Sequence, residues 1–339
     1  MPEPAVPLTV DIHAHVFPRG LPDLAAVTGD GRWPSLVADD GDPRLMCGGT
    51  VFRKVGPACY DLEHRLGELD ADGIDRQVIS PVPITLVDWA PPADAARFLA
   101  AQNDALADFA HRSGGRFLAL GALPLQDTDL ALAELARVRG ELGMAGVEIT
   151  AMVDGRELDH PSLDPFWEAA AADATPVFIH PAHQELAIRR QGQPYEFGLG
   201  MLTDTALAAS ALVFGGVLDR HPNLRIALSH GCGSYPWVHP RLRYMATRAP
   251  GAPTARHLDE LVRRLWADCL VFDPAHLGLL VQRFGADHLL YGTDHPFLPE
   301  RFAGPRAVIE EAIAAGLGVD EGALGANALR FLGVDAGRI

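Results

Sequence analysis

The sequence is poor in positive charge, and lysine is almost absent from it. Lys54 is the only lysine among 28 lysine and arginine residues, against 44 aspartates and glutamates, so the net charge is −16. We therefore expect neither nucleic acid nor an anionic membrane surface as a partner. Any chemistry that needs a lysine must use Lys54, whereas a local arginine could still bind a small anionic substrate.

Cysteines and long apolar segments are scarce as well. The 339 residues contain four cysteines, and no two of them form a C-x-x-C pair. A disulfide scaffold is therefore excluded, and no run reaches the roughly 18 apolar residues of a membrane-spanning helix. The first residues lack a secretory signal pattern, and no G-x-G-x-x-G motif follows a predicted strand. We expect a cytoplasmic protein that uses no organic cofactor.

Eight short apolar runs alternate along the chain with longer helical patterns. The runs are apolar at consecutive positions, as expected for parallel strands that are covered on both faces. Eight strand–helix units predict an α/β fold, a (β/α)8 TIM barrel, and a doubly wound open sheet is the alternative. The predicted strands are residues 9–15, 77–82, 117–124, 146–152, 176–181, 225–231, 265–271 and 288–296.

One segment, residues 17–60, does not fit the alternation. It is rich in glycine, proline and aspartate and has no helical period, and loops of this length are uncommon unless they are functional. We predict a small insertion after strand one that covers the mouth of the barrel, with a short hairpin near residues 45–53. No second domain is indicated, so residues 1–339 are predicted to form a single barrel domain.

Polar residues able to bind a metal follow several of the apolar strands. His13 and His15 end the first strand, and alternate residues of a strand point to the same side. His180, His230 and Asp294 end the fifth, sixth and eighth strands in the same way. Because these strand ends surround one mouth of a barrel, the pattern predicts a metal site there. Imidazoles suit a borderline ion such as Zn²⁺, and Mn²⁺, Co²⁺ or Fe²⁺ are alternatives.

This arrangement resembles the amidohydrolase superfamily, which has H-x-H on strand one, histidines on strands five and six, and an aspartate on strand eight. Strand four, residues 146–150, contains no lysine, which excludes the version with two metals bridged by a carbamylated lysine. The chain is similar to the aminocarboxymuconate-semialdehyde decarboxylase branch. The matching segments are DIHAHVFP (11–18), FRKV (52–55), DLEHRLGELDADGIDRQVIS (61–80), SHGCGS (229–234), FDP (272–274) and GTDHPF (292–297).

The resemblance implies a role for each matching residue. His230 corresponds to a catalytic acid/base beside a metal-bound water, and Arg53 to an arginine that binds a substrate carboxylate. Arg241 corresponds, in a less distinctive stretch, to a second carboxylate-binding arginine supplied by the neighbouring subunit of a homodimer. His183 and His295 stand where the branch has other residue types, so they are expected to contact the substrate. Phe297 is expected to contact it too, and the implied ligands of a single ion are His13, His15, His180 and Asp294.

The implied activity is a metal-dependent, non-oxidative decarboxylation of an unsaturated or aromatic carboxylate. The substrate would be a small anion similar to aminocarboxymuconate semialdehyde or to a hydroxybenzoate. A mononuclear hydrolase of a lactone, an amide or a C–C bond is the first alternative, because the same ion and histidine would serve it. A barrel that binds a ligand without catalysis is the second alternative, although the full set of ligands and His230 argue against it.

Overall fold

The computed structural model describes residues 8–38, 41–183, 185–248, 250–298 and 303–334. Eight strands follow one another around a single parallel sheet in chain order, and this confirms the predicted α/β barrel. The strands are β1 (Val10–Val16), β2 (Arg76–Pro81), β3 (Phe117–Ala122), β4 (Gly146–Thr150), β5 (Pro176–His180), β6 (Arg225–Leu228), β7 (Trp266–Asp268) and β8 (Leu289–Leu290).

Three strands end at least three residues earlier than the sequence predicts: β6 at Leu228, β7 at Asp268 and β8 at Leu290. In the segments that follow β6 and β8, His230 and Asp294 have positive φ, 54° and 56°. Extended backbone requires negative φ, so these residues cannot continue a strand. The predicted strand ends were wrong at the positions where the chain turns to present polar side chains at the mouth.

The barrel closes along a seam between residues 12–15 of the first strand and residues 291–295 after the last. The Ile12 amide donates to the Tyr291 carbonyl, and the His15 amide donates to the His295 carbonyl, both at 2.8 Å. The fully buried Arg65 side chain joins the two sides of this seam, because it donates to the carbonyls of His15 at 2.7 Å and His295 at 3.4 Å. The seam therefore fixes the first and last strands at a defined register.

Helices cover the outside of the sheet. The helix Leu62–Asp72 begins where the Asp61 carboxylate accepts a hydrogen bond from the His64 amide at 2.8 Å. The segment Tyr195–Phe214 is long and apolar enough to cross a membrane, but 44% of its most apolar window is buried inside the protein. The α-helices are Leu24–Thr28, Leu62–Asp72, Pro92–Arg112, Thr128–Gly140, Asp164–Ala172, Met201–Phe214, Val217–Arg220, Tyr235–Ala246, Ala255–Val262, Pro274–Phe284, Ala303–Ala314 and Glu321–Leu332.

The two ends of the barrel differ in polarity. Inward-facing residues such as Ile12, Phe178 and Leu290 form one buried cluster with Phe331 of the helix Glu321–Leu332. Phe331 packs against Trp266, the first residue of β7, with 5.7 Å between the ring centroids. Apolar packing therefore closes the end where the strands begin, and the polar residues lie at the end where they finish.

The insertion after β1 carries a small antiparallel sheet of three strands, Ser35–Val37, Arg44–Cys47 and Thr50–Lys54. The predicted hairpin is present, and Gly48 (φ 61°) and Gly49 (φ 72°) form its two-residue turn. Hairpin turns of this kind need positive φ at both positions, which glycine adopts without strain. The single-domain prediction spans residues 1–339, of which 1–7 and 335–339 lie outside the described residues.

Candidate metal centre

Four side chains from distant parts of the sequence meet at the polar end of the barrel. His13 and His15 come from β1, His180 ends β5, and Asp294 lies in the segment after β8. One ligand atom from each of the four lies within 4.8 Å of those of the others. The structure thus brings together the four residues predicted as metal ligands.

The three histidines share one orientation, which is set by the contact of the Nδ1 atom. Nδ1 of His13 lies 2.7 Å from the Asp268 carboxylate, and Nδ1 of His15 lies 2.8 Å from the Pro81 carbonyl. Nδ1 of His180 lies 2.8 Å from the carbonyl of Pro181. Since these oxygens only accept hydrogen bonds, each Nδ1 carries a proton, and Nε2 is the nitrogen through which each ring would bind an ion.

The Nε2 atoms fit a single divalent ion. Those of His13 and His15 face each other at 3.2 Å, so two lone pairs would repel unless a cation lies between them. Ligand atoms at about 2.0–2.1 Å from a tetrahedral ion stand at a similar separation. His180 Nε2 is buried and has no hydrogen-bond partner among the described residues, and the Asp294 carboxylate lies 3.2 Å from His15 Nε2. The chemistry of this donor set suits a borderline ion.

Burial and neighbouring charge shift the pKa values of these ligands. Burial lowers the pKa of His15 and moves that of His180 well below its ordinary value. Burial also opposes the charge on His13, but the hydrogen bond to Asp268 and nearby carboxylates outweigh it and raise the pKa to about 9. The Asp294 pKa falls to about 2, because the contact with His15 and nearby positive charge outweigh burial. An ionised Asp294 and a neutral His180 are the forms that bind metal, and an ion bound by His13 would displace the proton from its Nε2.

His230 lies beside the four ligands on an unusual stretch of backbone. Its ring centroid is 5.1 Å from that of His13 and 5.0 Å from that of His180. Residues 230–233 all have positive φ, which is costly for the non-glycine residues His230 and Cys232. Such strain is typical of functional sites, where it aims a side chain that a regular strand would direct elsewhere.

Two of these four positions can hold only glycine. A Cβ atom on Gly233 would lie 2.2 Å from the Leu202 carbonyl oxygen, and one on Gly231 would lie 2.4 Å from Val271. The loop is therefore packed directly against its neighbours, and His230 is held in place rather than mobile.

Asp268, at the end of β7, is a buried site residue that the sequence analysis missed. It contacts His13 through Nδ1, as above, and it also accepts a hydrogen bond from the His230 amide at 2.9 Å. A signal was available, because Asp268 is a carboxylate inside the apolar run 265–271, at the height where other strands carry ligands. Because the strand was predicted to continue to residue 271, Asp268 was placed inside the strand and not at its end.

A cavity of about 180 Å³ opens above the ligands. Its walls are mainly apolar, and Arg53 of the insertion provides a cation in the lining. The Arg53 guanidinium lies between two rings, 4.9 Å from the Phe297 centroid and 5.5 Å from that of Phe197, and donates to the Phe297 carbonyl at 3.2 Å. His180, His230 and Asp294 also line the cavity, as do Phe52 and Phe272.

The structure places the other predicted substrate contacts differently. Phe297 lines the cavity, but His183, His295 and Arg241 do not belong to its described lining. His183 Nε2 lies 2.8 Å from the carboxylate of Asp88, and His295 Nε2 lies 2.8 Å from that of Glu68, so both rings are directed to carboxylates outside the cavity wall.

Arg241 lies on the surface helix Tyr235–Ala246, where its side chain is exposed. Within one chain it is therefore separate from the cavity. The aromatic wall gave a weaker signal in the sequence: Phe197 lies in the short helical segment Tyr195–Gly200, and no periodicity links it to the ligands.

Comparisons with known proteins agree with this geometry. The amidohydrolase family pattern matches residues 10–334. A 2-amino-3-carboxymuconate-6-semialdehyde decarboxylase of Dictyostelium discoideum is 35% identical over 332 residues, covering 97% of this chain and 92% of the relative. A gamma-resorcylate decarboxylase of Rhizobium radiobacter is 30% identical over 269 residues, covering 74% of this chain and 81% of the relative.

A solved structure shows the same fold. The 5-carboxyvanillate decarboxylase of Novosphingobium aromaticivorans, complexed with manganese and 4-hydroxy-3-methoxy-5-nitrobenzoic acid, superposes with a TM-score of 0.74 at 20% sequence identity. The match covers 97% of this chain and 96% of that one.

Proposed function

This chain belongs to the amidohydrolase family, in its branch of metal-dependent decarboxylases, and we propose that its substrate is a small aromatic or unsaturated carboxylate that loses CO2 without oxidation. The observation that carries this proposal is the cavity, which has Arg53 in its wall and the ligand cluster at its base. The phenylalanines between them suit a flat conjugated molecule, since aromatic rings pack well against one another.

Arg53 is proposed to orient the substrate. Its guanidinium lies over the rings of Phe197 and Phe297, and its N–H groups offer donors for a carboxylate in the cavity. An arginine can bind a carboxylate through two parallel charge-assisted hydrogen bonds, which fixes direction as well as position. In a chain of net charge −16, such a local cation is needed to attract an anion.

His230 is proposed to move the proton. The Ser229 hydroxyl lies 3.1 Å from His230 Nδ1, so Nε2 is the ring nitrogen that this contact leaves available for the substrate. Burial lowers the His230 pKa to about 4, so the ring is neutral near pH 7. When the C–C bond to the carboxylate breaks and CO2 leaves, the electron pair left on carbon takes up a proton, which His230 can relay from solvent so that its ring is neutral again afterwards.

A divalent ion held by His13, His15, His180 and Asp294 would supply a Lewis acid that polarises a substrate oxygen. We propose Zn²⁺, because a set of three histidines and one carboxylate suits it. Manganese is the main alternative, since the carboxyvanillate relative binds it. Measuring the metal content of the purified protein, and activity after reconstitution with each ion, would decide between them.

A homodimer is proposed because one helix presents an apolar stripe to solvent. On Tyr235–Ala246, Trp237 is 79% exposed, Tyr244 is 56% exposed and Met245 is 53% exposed. Arg241 lies one turn after Trp237 on the same face, where a partner subunit would cover the stripe and receive the arginine. Sedimentation analysis tests this: a monomer at micromolar concentration, active and unaffected by Trp237→Glu, would refute it.

A cytoplasmic location is proposed on the basis of the cysteines. All four of them, Cys47, Cys59, Cys232 and Cys269, are free. Reduced thiols are the normal state in the cytosol. Fractionation of cells that produce the tagged protein would test this.

The activity is tested by measuring CO2 release from a panel of carboxymuconate and hydroxybenzoate compounds, with lactones and amides as hydrolase substrates. We expect CO2 release from a member of the first group, dependent on added metal. Metal-dependent hydrolysis of the second group without CO2 release from the first would refute the proposal. A protein that binds these carboxylates but converts none of them would favour the non-catalytic alternative.

A further inference from the structure

One carboxylate, that of Asp268, accepts hydrogen bonds from two parts of the site at once. Its Oδ2 accepts from His13 Nδ1 at 2.7 Å and from the His230 amide at 2.9 Å. Its Oδ1 accepts from the amides of Gly231 at 2.8 Å and Leu270 at 3.1 Å. An ionised carboxylate has about four lone-pair positions, so these four donors use its whole capacity.

The contact with His13 determines which ring nitrogen carries the proton. Asp268 Oδ2 is an acceptor that already serves a backbone amide, so His13 meets it as an N–H donor through Nδ1. The lone pair is then on Nε2, which faces His15 at 3.2 Å. Without this acceptor, the neutral ring of His13 could place its proton on Nε2 and lose its capacity to bind metal.

The contacts with the amides of His230 and Gly231 determine the path of the next loop. These residues have φ values of 54° and 62°, and successive left-handed residues direct their N–H groups towards one point. The Asp268 carboxylate occupies that point and offsets the strain of a non-glycine residue in this conformation. The direction of the His230 side chain therefore depends on the same carboxylate.

We propose that Asp268 is a positioning residue that sets both the metal-binding form of His13 and the orientation of His230. Asp268 then holds a metal ligand, His13, and the proton-transfer residue, His230, through the same carboxylate. The role assigned to the orientation of His230 rests on the proposed function, whereas the role assigned to the metal-binding form of His13 does not.

The test is Asp268→Asn, which keeps the size of the side chain but replaces one acceptor oxygen with an N–H2 donor. At least one of the four donors then faces another donor, so we expect metal affinity in a chelator titration to fall about 10- to 100-fold. With metal saturating, kcat should also fall about 10- to 100-fold while KM changes less than about threefold, since the substrate contacts at Arg53 remain.

Asp164→Asn is the matched control. It removes a carboxylate that lies 3.1 Å from His221 Nε2 and 2.9 Å from Arg220, on a helix that contributes neither a ligand nor a cavity residue. This control should keep the metal affinity and kcat of the wild type. A purely structural role for Asp268 would lower the thermal stability of Asp268→Asn and leave its metal affinity and kcat unchanged.

A folded Asp268→Asn protein with wild-type metal affinity and wild-type kcat would overturn the inference. If circular dichroism shows that this variant does not fold, Asp268→Glu carries the test, because it keeps the charge and moves the carboxylate by one methylene. Wild-type values of both quantities in that variant would overturn it as well. If the wild type releases no CO2 from any substrate, the proposed activity fails, while the chelator titration still decides the metal half.

Discussion

The most discriminating prediction concerns Arg53→Ala. The structure assigns this guanidinium a defined geometry: one N–H group donates to the Phe297 carbonyl at 3.2 Å, and the ring centroids of Phe297 and Phe197 lie 4.9 Å and 5.5 Å from it. Arg53 also lines the cavity, so its other N–H groups can meet a substrate there. Removing them should weaken the capture of a carboxylate and leave the ligand cluster intact.

The magnitude follows from the kind of hydrogen bond that the substitution removes. A hydrogen bond to a charged group contributes about 1.5–3 kcal/mol. Because each 1.4 kcal/mol corresponds to about a tenfold change, kcat/KM should fall about 10- to 150-fold. Arg53→Lys restores the charge but not the planar pair of donors, so it should recover only part of this decrease.

Lys54→Ala is the matched control, because it removes the same unit of charge from the adjacent residue. Its side chain is 72% exposed and pairs with Asp42 at 2.9 Å, outside the cavity lining. Exposed charges are screened over about 8 Å at physiological ionic strength, so kcat/KM should change less than about twofold. The assay is steady-state CO2 release by each variant, with metal content measured in parallel.

Two outcomes would refute this reasoning. If Arg53→Ala keeps the wild-type kcat/KM on the true substrate, the arginine binds no carboxylate, and a hydrolase acting on a neutral substrate becomes the better interpretation. If Lys54→Ala loses as much activity as Arg53→Ala, the substrate is attracted by overall positive charge and not by the paired N–H donors of Arg53.

Three further predictions follow from the same geometry. His180→Ala should remove most of the bound metal, measured after dialysis, and full occupancy would contradict its role as a ligand. His230→Ala should keep the metal but lower kcat about 10²- to 10⁴-fold; loss of metal instead would make it a ligand. Asp88→Asn should lower the unfolding free energy at pH 6 by about 1–3 kcal/mol. Burial opposes the charge on His183, but Asp88 outweighs it and raises the pKa. A raised pKa stabilises the fold at low pH, and this contribution disappears as pH rises through the folded value, so an equal deficit at pH 6 and pH 9 would contradict the pairing.

The metal ligands could be predicted from the sequence because each lies near the end of a strand or in the segment directly after it. Strand ends of a barrel converge on one mouth whatever the intervening sequence does, so His13, His180 and Asp294 could be placed together without side-chain detail. The resemblance then supplied the distinction between the ligands and His230, which residue type alone could not give.

The predicted contacts that the structure places elsewhere depend on side-chain direction. Asp294 and His295 are neighbours, but the chain turns at Asp294, where φ is 56°, and the His295 ring points to Glu68 at 2.8 Å instead of into the cavity. His183 was expected at the cavity, but a nearby carboxylate on another loop, Asp88, holds its ring. Neither carboxylate has a sequence relationship to its histidine, so the pairs depend on tertiary packing.

The seam of the barrel has a consequence for the order in which this protein matures. His13 and His15 lie on one side of it and Asp294 on the other, so the ligand set joins the first strand to the segment after the last. On the ribosome the histidines emerge early, yet the site is complete only when β8 has been made and docked. An ion that binds the finished barrel and not its precursors stabilises only chains that have closed, so metal uptake would mark the completion of folding.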